Sequence, residues 1–303
     1  MLSYIEYRKS YGLSRETVEE YKRNFQHFLN YLNVNGITTL NLINQHLLLN
    51  YVNQLGFFTH YTRHRNLSVI KGYLRYLYDQ GLTETDFSRV IPKDKYIKQP
   101  KLPSTYSKEE VKALLAAIDR SSPKGKRDYA MVLITALLGL RASDVCNLTF
   151  ENIQWEKNLI VLNQQKTQVR IELPLLSEVG EAIIDYLKYG RPSSELPYIF
   201  LHVTSPYDRL NRSTLHSIVC FYLRRADIHY EKQRKHGPHA LRHSLAGVLL
   251  EKKTPLPVIS EVLGHKNTES TRLYLRIDMN SLRQCALEVP PVSHSFYERW
   301  SGR

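Results

Sequence analysis

Three nearby segments decide how this chain is read: His239-Ala240-Leu241-Arg242-His243, Leu263-Gly264-His265 and Thr271-Arg272-Leu273-Tyr274. The first follows Gly237-Pro238, a pair that closes one element and opens a helix, because proline is tolerated in a first helical turn. His239 and Arg242 stand three apart and share a face of that helix, predicted over Ala240–Glu251. Gly264 ends a short predicted helix, Val258–Leu263, and lets the chain before His265 approach a neighbour closely. Tyr274 falls in a further short helix, Thr268–Arg276. One region therefore supplies a guanidinium to hold an anion, imidazoles to move protons and a phenol able to act as a nucleophile.

Towards the N-terminus, Ser107-Lys108-Glu109-Glu110 forms a capping box ahead of a helix carrying Val111, Leu114, Leu115 and Ile118. Asp128–Leu138 is apolar nearly all round and predicts a buried helix that halts at Gly139. Arg141 then opens the short stretch Ala142-Ser143-Asp144-Val145, where a helix N-terminus favours anions; pairing with Asp144 is the structural alternative. Leu159–Leu162 and Val169–Leu173 predict two strands joined by a polar turn through Gln164, Gln165, Lys166 and Thr167. A lysine at such a tip is either solvated or reaches a phosphate, where it can protonate a leaving oxygen. Helices over Ser177–Tyr189 and Asn211–Ala226 complete this half of the chain.

The first ninety or so residues predict a small all-helical domain. A helix capped by Ser14 ends at Asn35-Gly36, a second runs over Leu42–Leu55, and a third over Tyr61–Gln80. The third buries Leu67, Ile70, Leu74 and Leu77 and carries Arg63, His64, Arg65, Lys71 and Arg75 elsewhere. Tyr61, Tyr73, Tyr76 and Tyr78 interleave with these cations, and no acid precedes Asp79, which suggests a face turned to a polyanion. Residues 92–104, with three prolines and four lysines, read as a basic linker. It is either a plain tether or one half of a clamp around a duplex.

The 303 residues contain 42 Lys+Arg against 29 Asp+Glu, a net charge of +13 spread along the chain. A spread surplus suits a polyanion lying across a broad surface, although charge alone does not choose between that and an ordinary basic protein. Cys146, Cys220 and Cys285 are widely spaced and suggest neither a disulfide framework nor a zinc site, as expected of a reducing compartment. The N-terminus lacks the apolar core of a signal peptide, and the longest apolar run, Ala130–Leu138, is too short to span a bilayer. His239 and His243 have the spacing of a metal pair, but Ala240 stands where a metalloprotease helix carries its glutamate.

The order Arg141, hairpin Lys166, His239-x-x-Arg242-His243, Leu-Gly-His265 and Tyr274 resembles the tyrosine recombinases, or lambda-type phage integrases, and the resemblance covers the whole chain. It implies a mainly α protein with a small β-sheet. A helical, SAM-like core-binding domain (1–91) and the linker (92–104) precede an α+β catalytic domain (105–277). A tail (278–303), with a short helix near Asn280–Leu287, is expected to contact a neighbouring protomer. The resemblance further implies that Arg141, Lys166, His239, Arg242 and His265 surround a phosphate of double-stranded DNA. Tyr274 attacks it, leaving a 3′-phosphotyrosine ester and a free 5′-hydroxyl, without cofactor or metal. His239 is the expected base, Lys166 the expected acid and His265 the group that orients the phosphate, with His243 in support. A homo-tetramer on two paired sites, monomer or weak dimer when free, would exchange strands through a Holliday junction. The expected setting is the cytoplasm of a bacterial-type cell, on the nucleoid and away from membranes. Two departures stand out: Asp144 replaces the family's usual glutamate, and Leu275-Arg276 replaces a frequent Thr-His. A type IB topoisomerase and a non-catalytic DNA-organising protein are the rivals. Chain length, the small helical domain and the complete set of six residues favour a recombinase.

Overall fold

The structure is a computed structural model that describes residues 2–13, 15–93, 103–229, 236–267 and 269–275. The expected tail helix, most of the linker and Arg276 fall outside these residues. The chain divides into two compact units, Met1–Pro100 and Lys101–Arg303.

The first unit is helical: α1 (Leu2–Lys9), α2 (Arg15–Val34), α3 (Gln45–Gln54) and α4 (His60–Asp79). Val18, Phe25, Phe28 and Leu32 of α2 are buried, as their spacing predicts. Helix α3 begins later than the apolar pattern suggests. The Asn44 side chain accepts from Leu47 N at 3.0 Å and caps it, while Leu40–Leu42 form a separate 3-10 turn. The periodicity gave no sign of α1, which buries Tyr4 and Ile5, adjacent positions too few to show a helical stripe. Tyr4 joins an aromatic core in which Phe25 and Tyr73 meet edge to face at 4.5 Å.

The cationic side of α4 differs from its reading in sequence. Tyr73 is buried in the core rather than interleaved on the surface. Arg65 Nε donates to Glu20 of α2 at 2.6 Å, and Arg75 Nη1 donates to Asp86 at 2.8 Å besides pairing with Asp79. The acids missing from α4 itself arrive from the chain around it, so two of its arginines are already neutralised.

In the second unit, α5 (Lys108–Ala116) carries the expected capping box, with Ser107 N donating to Glu110 at 2.7 Å and Glu110 N to Ser107 Oγ at 3.1 Å. Helix α6 (Pro123–Leu138) starts five residues before the apolar run, because Ser122 caps it and Pro123 takes the first turn. It is buried along most of its length and packs against α8, α9 and α10. Gly139 ends it at φ +63°, and α7 (Ala142–Cys146) follows directly.

An antiparallel sheet comes next, β1 (Ile153–Gln154), β2 (Leu159–Asn163) and β3 (Arg170–Pro174), in that spatial order. β1 is two residues long, which leaves no alternation to read. The pairs Ile160–Leu173 and Leu162–Ile171 turn one face of the β2–β3 hairpin to the core. The remaining helices are α8 (Ser177–Tyr189), α9 (Arg212–Arg225), α10 (Pro238–Glu251), α11 (Leu256–Val262) and α12 (Glu269–Leu275). Ala246, Leu250, Ile259, Leu263 and Tyr274 form a small apolar cluster where α10, α11 and α12 meet. No helix among the described residues is long and apolar enough to cross a membrane.

Two charges lie inside this unit. Arg127 is 4% and Asp128 1% exposed. The Arg127 guanidinium donates to Asp128 Oδ1 at 2.7 and 3.0 Å and to Leu201 O at 3.1 Å. Tyr222 Oη donates to Asp128 Oδ2 at 3.2 Å. Helix α6, helix α9 and the Ile199–Leu201 segment are thereby tied together at one point. Arg127→Met strands the Asp128 carboxylate and should destabilise the protein by about 3–5 kcal/mol in urea unfolding. The double variant Arg127→Met/Asp128→Leu should recover part of that loss.

Candidate active site

The site is assembled on a two-residue turn, Leu263-Gly264. Gly264 adopts φ +59°, a left-handed conformation that a side chain disfavours. The space its Cβ would fill is occupied by the Gln164 amide, whose N and O atoms lie 2.4 Å from that position. Gln164, fully buried, is the first residue after β2 in the β2–β3 hairpin. Its Nε2 donates to Leu263 O at 3.1 Å, and its Oε1 accepts from Thr167 Oγ1 at 2.8 Å and from Arg141 Nη1. One amide therefore binds the hairpin turn, the turn after α11 and the arginine that opens α7.

Both arginines converge there. Arg141 Nη2 donates to Gly264 O at 3.5 Å. Arg242, only 1% exposed, donates through Nη1 to Gly139 O at 2.5 Å and through Nη2 to Leu263 O. Adjacent carbonyls thus hold two guanidinium groups that the sequence separates by about a hundred residues. Gly139 has its own close approach, because a Cβ there would lie 2.9 Å from Leu245 and 3.0 Å from Leu263 side-chain atoms.

Tyr274 is 2% exposed in the cluster formed by α10, α11 and α12. Its hydroxyl lies 3.0 Å from His243 Nδ1. The His243 ring meets His239 edge-on at 4.2 Å, and the His265 ring lies parallel to Tyr274 at 6.2 Å and 13°. His265 Nδ1 contacts Thr271 Oγ1 at 2.8 Å, and that hydroxyl donates to Ser260 Oγ at 3.0 Å. With the threonine proton engaged by Ser260, His265 Nδ1 carries the hydrogen and Nε2 keeps its lone pair. Thr271 and Ser260 thus set the imidazole's tautomer from behind.

Lys166 sits at the exposed tip of the hairpin turn. The turn beneath it is fixed: Gln168 N donates to Gln164 O at 2.8 Å, and Gln165 N donates to Asp144 Oδ1 at 3.0 Å. Asp144, at the position of the family's usual glutamate, therefore holds the base of the lysine loop. Its other oxygen, Oδ2, is buried without a hydrogen-bond partner. Burial raises the Asp144 carboxyl pKa, against the opposing charges of Arg141 and Arg242.

Burial also governs the other ionisations. It pulls Arg242 down to about 10, helped by the charge of Arg141, which leaves Arg242 cationic at neutral pH. Arg141 is lowered by burial too. His265 falls to about 4 through burial and the nearby Arg242, Arg141 and His239, so its imidazole is neutral. Burial raises the Tyr274 phenol, although the two arginines pull the other way. The site without ligand is two cations around a neutral imidazole and a neutral phenol, an arrangement that an anion would stabilise.

Of the six residues expected from the sequence, Arg141, Arg242, His265 and Tyr274 meet in one group, Arg242 and Tyr274 buried and the other two half-buried. His239 joins it through His243, and Lys166 rides on the hairpin that Gln164 anchors. Sequence reasoning missed Gln164, which reads as an ordinary turn residue, and it missed Thr271 and Ser260. It gave His243 a supporting part; the structure makes that imidazole the hydrogen-bond partner of the phenol.

Comparison with known proteins agrees with this architecture. The phage integrase family model matches residues 105–281, and that for the phage integrase N-terminal SAM-like domain matches residues 3–81. A Sinorhizobium fredii protein, y4gC, which carries the name integrase/recombinase, is 36% identical over 190 residues, 62% of this chain and 97% of its own. Tyrosine recombinase XerD of Ralstonia nicotianae is 30% identical over 225 residues, covering 73% of this chain and 71% of that protein. Among solved structures, XerH site-specific recombinase bound to palindromic difH substrate superimposes with a TM-score of 0.73 over 92% of this chain and 81% of that one. At 20% identity, that last likeness speaks for the fold alone. With both domain models matched and relatives aligned over most of their own lengths, the chain belongs to the phage integrase family, the tyrosine recombinases.

Proposed function

We propose that this tyrosine recombinase cuts double-stranded DNA by attack of the Tyr274 hydroxyl on one backbone phosphate. The observation that carries the reading is the convergence of Arg141 and Arg242 on adjacent carbonyls, beside a phenol with an imidazole on its oxygen. Two fixed cations neutralise the phosphodiester and bind its equatorial oxygens more strongly as charge builds on them. The phenol is protonated at rest, so attack requires that its proton leave. His243 Nδ1, at hydrogen-bond distance from the phenol, accepts it, with His239 meeting His243 edge-on as the partner that shares the charge. His265 Nε2, with the tautomer set by Thr271, orients the phosphate, and Lys166 protonates the departing 5′ oxygen. The tyrosyl ester conserves the phosphodiester energy, so the 5′-hydroxyl of a second strand can reseal it.

The same proposal covers the assembly. Two duplexes exchanged strand by strand need four such centres, hence a homo-tetramer on paired sites acting through a Holliday junction, from a monomer or weak dimer in solution. The tail after residue 277 docks on a neighbouring protomer, and the enzyme works on the nucleoid in a bacterial-type cytoplasm. Integration and excision, transposition and multimer resolution all use this chemistry.

A duplex nicked beside the cleavage point traps the covalent step. Wild type should yield a protein–DNA adduct and Tyr274→Phe none; an undiminished adduct from the Phe variant refutes the assignment. Arg242→Lys, which keeps the charge and loses the fork, should slow adduct formation by about a hundred- to a thousandfold. Gly264→Ala should act on both stability and rate, because the left-handed backbone costs about 1–2 kcal/mol and the new methyl displaces Gln164. A pH signature follows from His265. Its folded value of about 4 lies below the ordinary 6.5, so between these values the unfolded chain binds a proton that the folded chain refuses. Its contribution to stability is complete above pH 6.5 and is lost as pH falls towards 4. His265→Asn should flatten the acid limb of the melting-temperature profile relative to wild type.

A further inference from the structure

A second group of ligating side chains lies outside the catalytic cluster. His216 and Cys220, four residues apart on α9, face the segment that leads into α10, where His236 stands just before Gly237-Pro238. The donor atoms of His216, Cys220 and His236 all lie within 4.8 Å of one another. Cys220 Sγ is 3.4 Å from His216 Nε2. In a tetrahedral zinc site with ordinary Zn–S and Zn–N bonds, sulfur and nitrogen ligands stand about 3.5 Å apart. The α9 pair already holds that edge, and His236 needs only a small approach to supply a third corner.

The close approach is built into the backbone. Gly237 takes φ +99°, and a Cβ there would fall 2.4 Å from His216 Nδ1, so only glycine lets the imidazole of α9 rest against the start of α10. The His216 and His236 rings lie 5.6 Å apart. Cys220 is 9% exposed and His216 is open to solvent, so an ion has a route in and a shielded thiol to meet.

We propose that His216, Cys220 and His236 bind one zinc ion, with solvent in the fourth position, and that the ion clips α9 to the segment opening the catalytic helix α10. Two imidazoles and a thiolate, with no carboxylate in the set, select a borderline-soft ion over magnesium or calcium. On binding, the cysteine S–H proton passes to solvent and the sulfur lone pair takes its place on the metal. The clip would act on catalysis by position, since His236 stands three residues before His239 and six before Arg242. Cysteine spacing alone gives no hint of this site, because the other two ligands are histidines, one of them outside α9.

The test uses the full-length protein and Co²⁺ as a spectroscopic stand-in for zinc. Titration should give one equivalent bound, a near-ultraviolet thiolate-to-cobalt charge-transfer band and tetrahedral visible bands, all bleached by Zn²⁺. Zn²⁺ should also raise the melting temperature. Indirect partners of a metal are worth about 10–100-fold in affinity, so loss of a direct ligand in Cys220→Ser or His216→Ala should cost more than about a hundredfold. Circular dichroism and the metal-free melting temperature check that each variant folds. Cys146→Ala, Cys285→Ser and His239→Ala should keep the charge-transfer band. Absence of that band in wild type, its persistence in Cys220→Ser, or its loss in His239→Ala would overturn the proposal, the last by moving the ion to the catalytic histidines.

Discussion

The catalytic domain depends on the contact between the Gln164 amide and the missing side chain of Gly264. A phosphodiester site needs cations from distant parts of the chain at fixed positions, and like charges brought together repel. Gln164 addresses the geometry by hydrogen bonding in three directions, to Arg141, to Thr167 and to the Leu263 carbonyl. The repulsion is met by carbonyl oxygens: Gly139, Leu263 and Gly264 each place a partial negative charge against a guanidinium. These dipoles are neutral overall, so they steady the arginines without cancelling the positive potential that an anion would feel. A carboxylate in their place would hold the arginines more tightly and spoil the site.

Asp144 shows how close the design comes to that second arrangement. Its charge acts on both arginines, yet burial pushes its pKa up and its Oδ1 accepts from Gln165 N in the lysine turn. An aspartate reaches less far than the family's usual glutamate, which fits an acid engaged with the hairpin and an Arg141 whose bonds go to Gln164 and Gly264.

Much of this was legible in the sequence, for identifiable reasons. Helices with a long apolar stripe, such as α2 and α8, show their period, and α5 shows its start through the Ser107–Glu110 capping box. Gly139 and Gly264 mark turns because each needs a backbone that other residues avoid. Short elements leave too little pattern: β1 has two residues, and the side chains of α1 described as buried, Tyr4 and Ile5, are adjacent. The acids that pair with the cationic face of α4, Glu20 and Asp86, are neighbours in space alone, so the sequence of the helix does not show them. Within the site, motif residues were readable by spacing, whereas Gln164, Thr271 and Ser260 act through contacts that no spacing records.

The position of Tyr274 joins the fold to control of the reaction. A phenol 2% exposed, held by His243 and packed on Leu250, Ile259 and Leu263, is stable but does not present itself to a phosphate. Burial raises its pKa, and the arginines lower it. An incoming phosphate would add a third influence by occupying the arginines, and its negative charge would make phenolate formation harder still unless the proton leaves as the bond forms. In the proposed reaction attack is therefore coupled to proton transfer, which would begin at the imidazole on the phenol oxygen. Helix α12 is only seven residues long, so the apolar cluster beneath it supplies most of what keeps the nucleophile in place. The phenol also interacts with Arg242, whose Nη2 donates to the Leu263 carbonyl, so the position of α12 and that of the arginine are tied together.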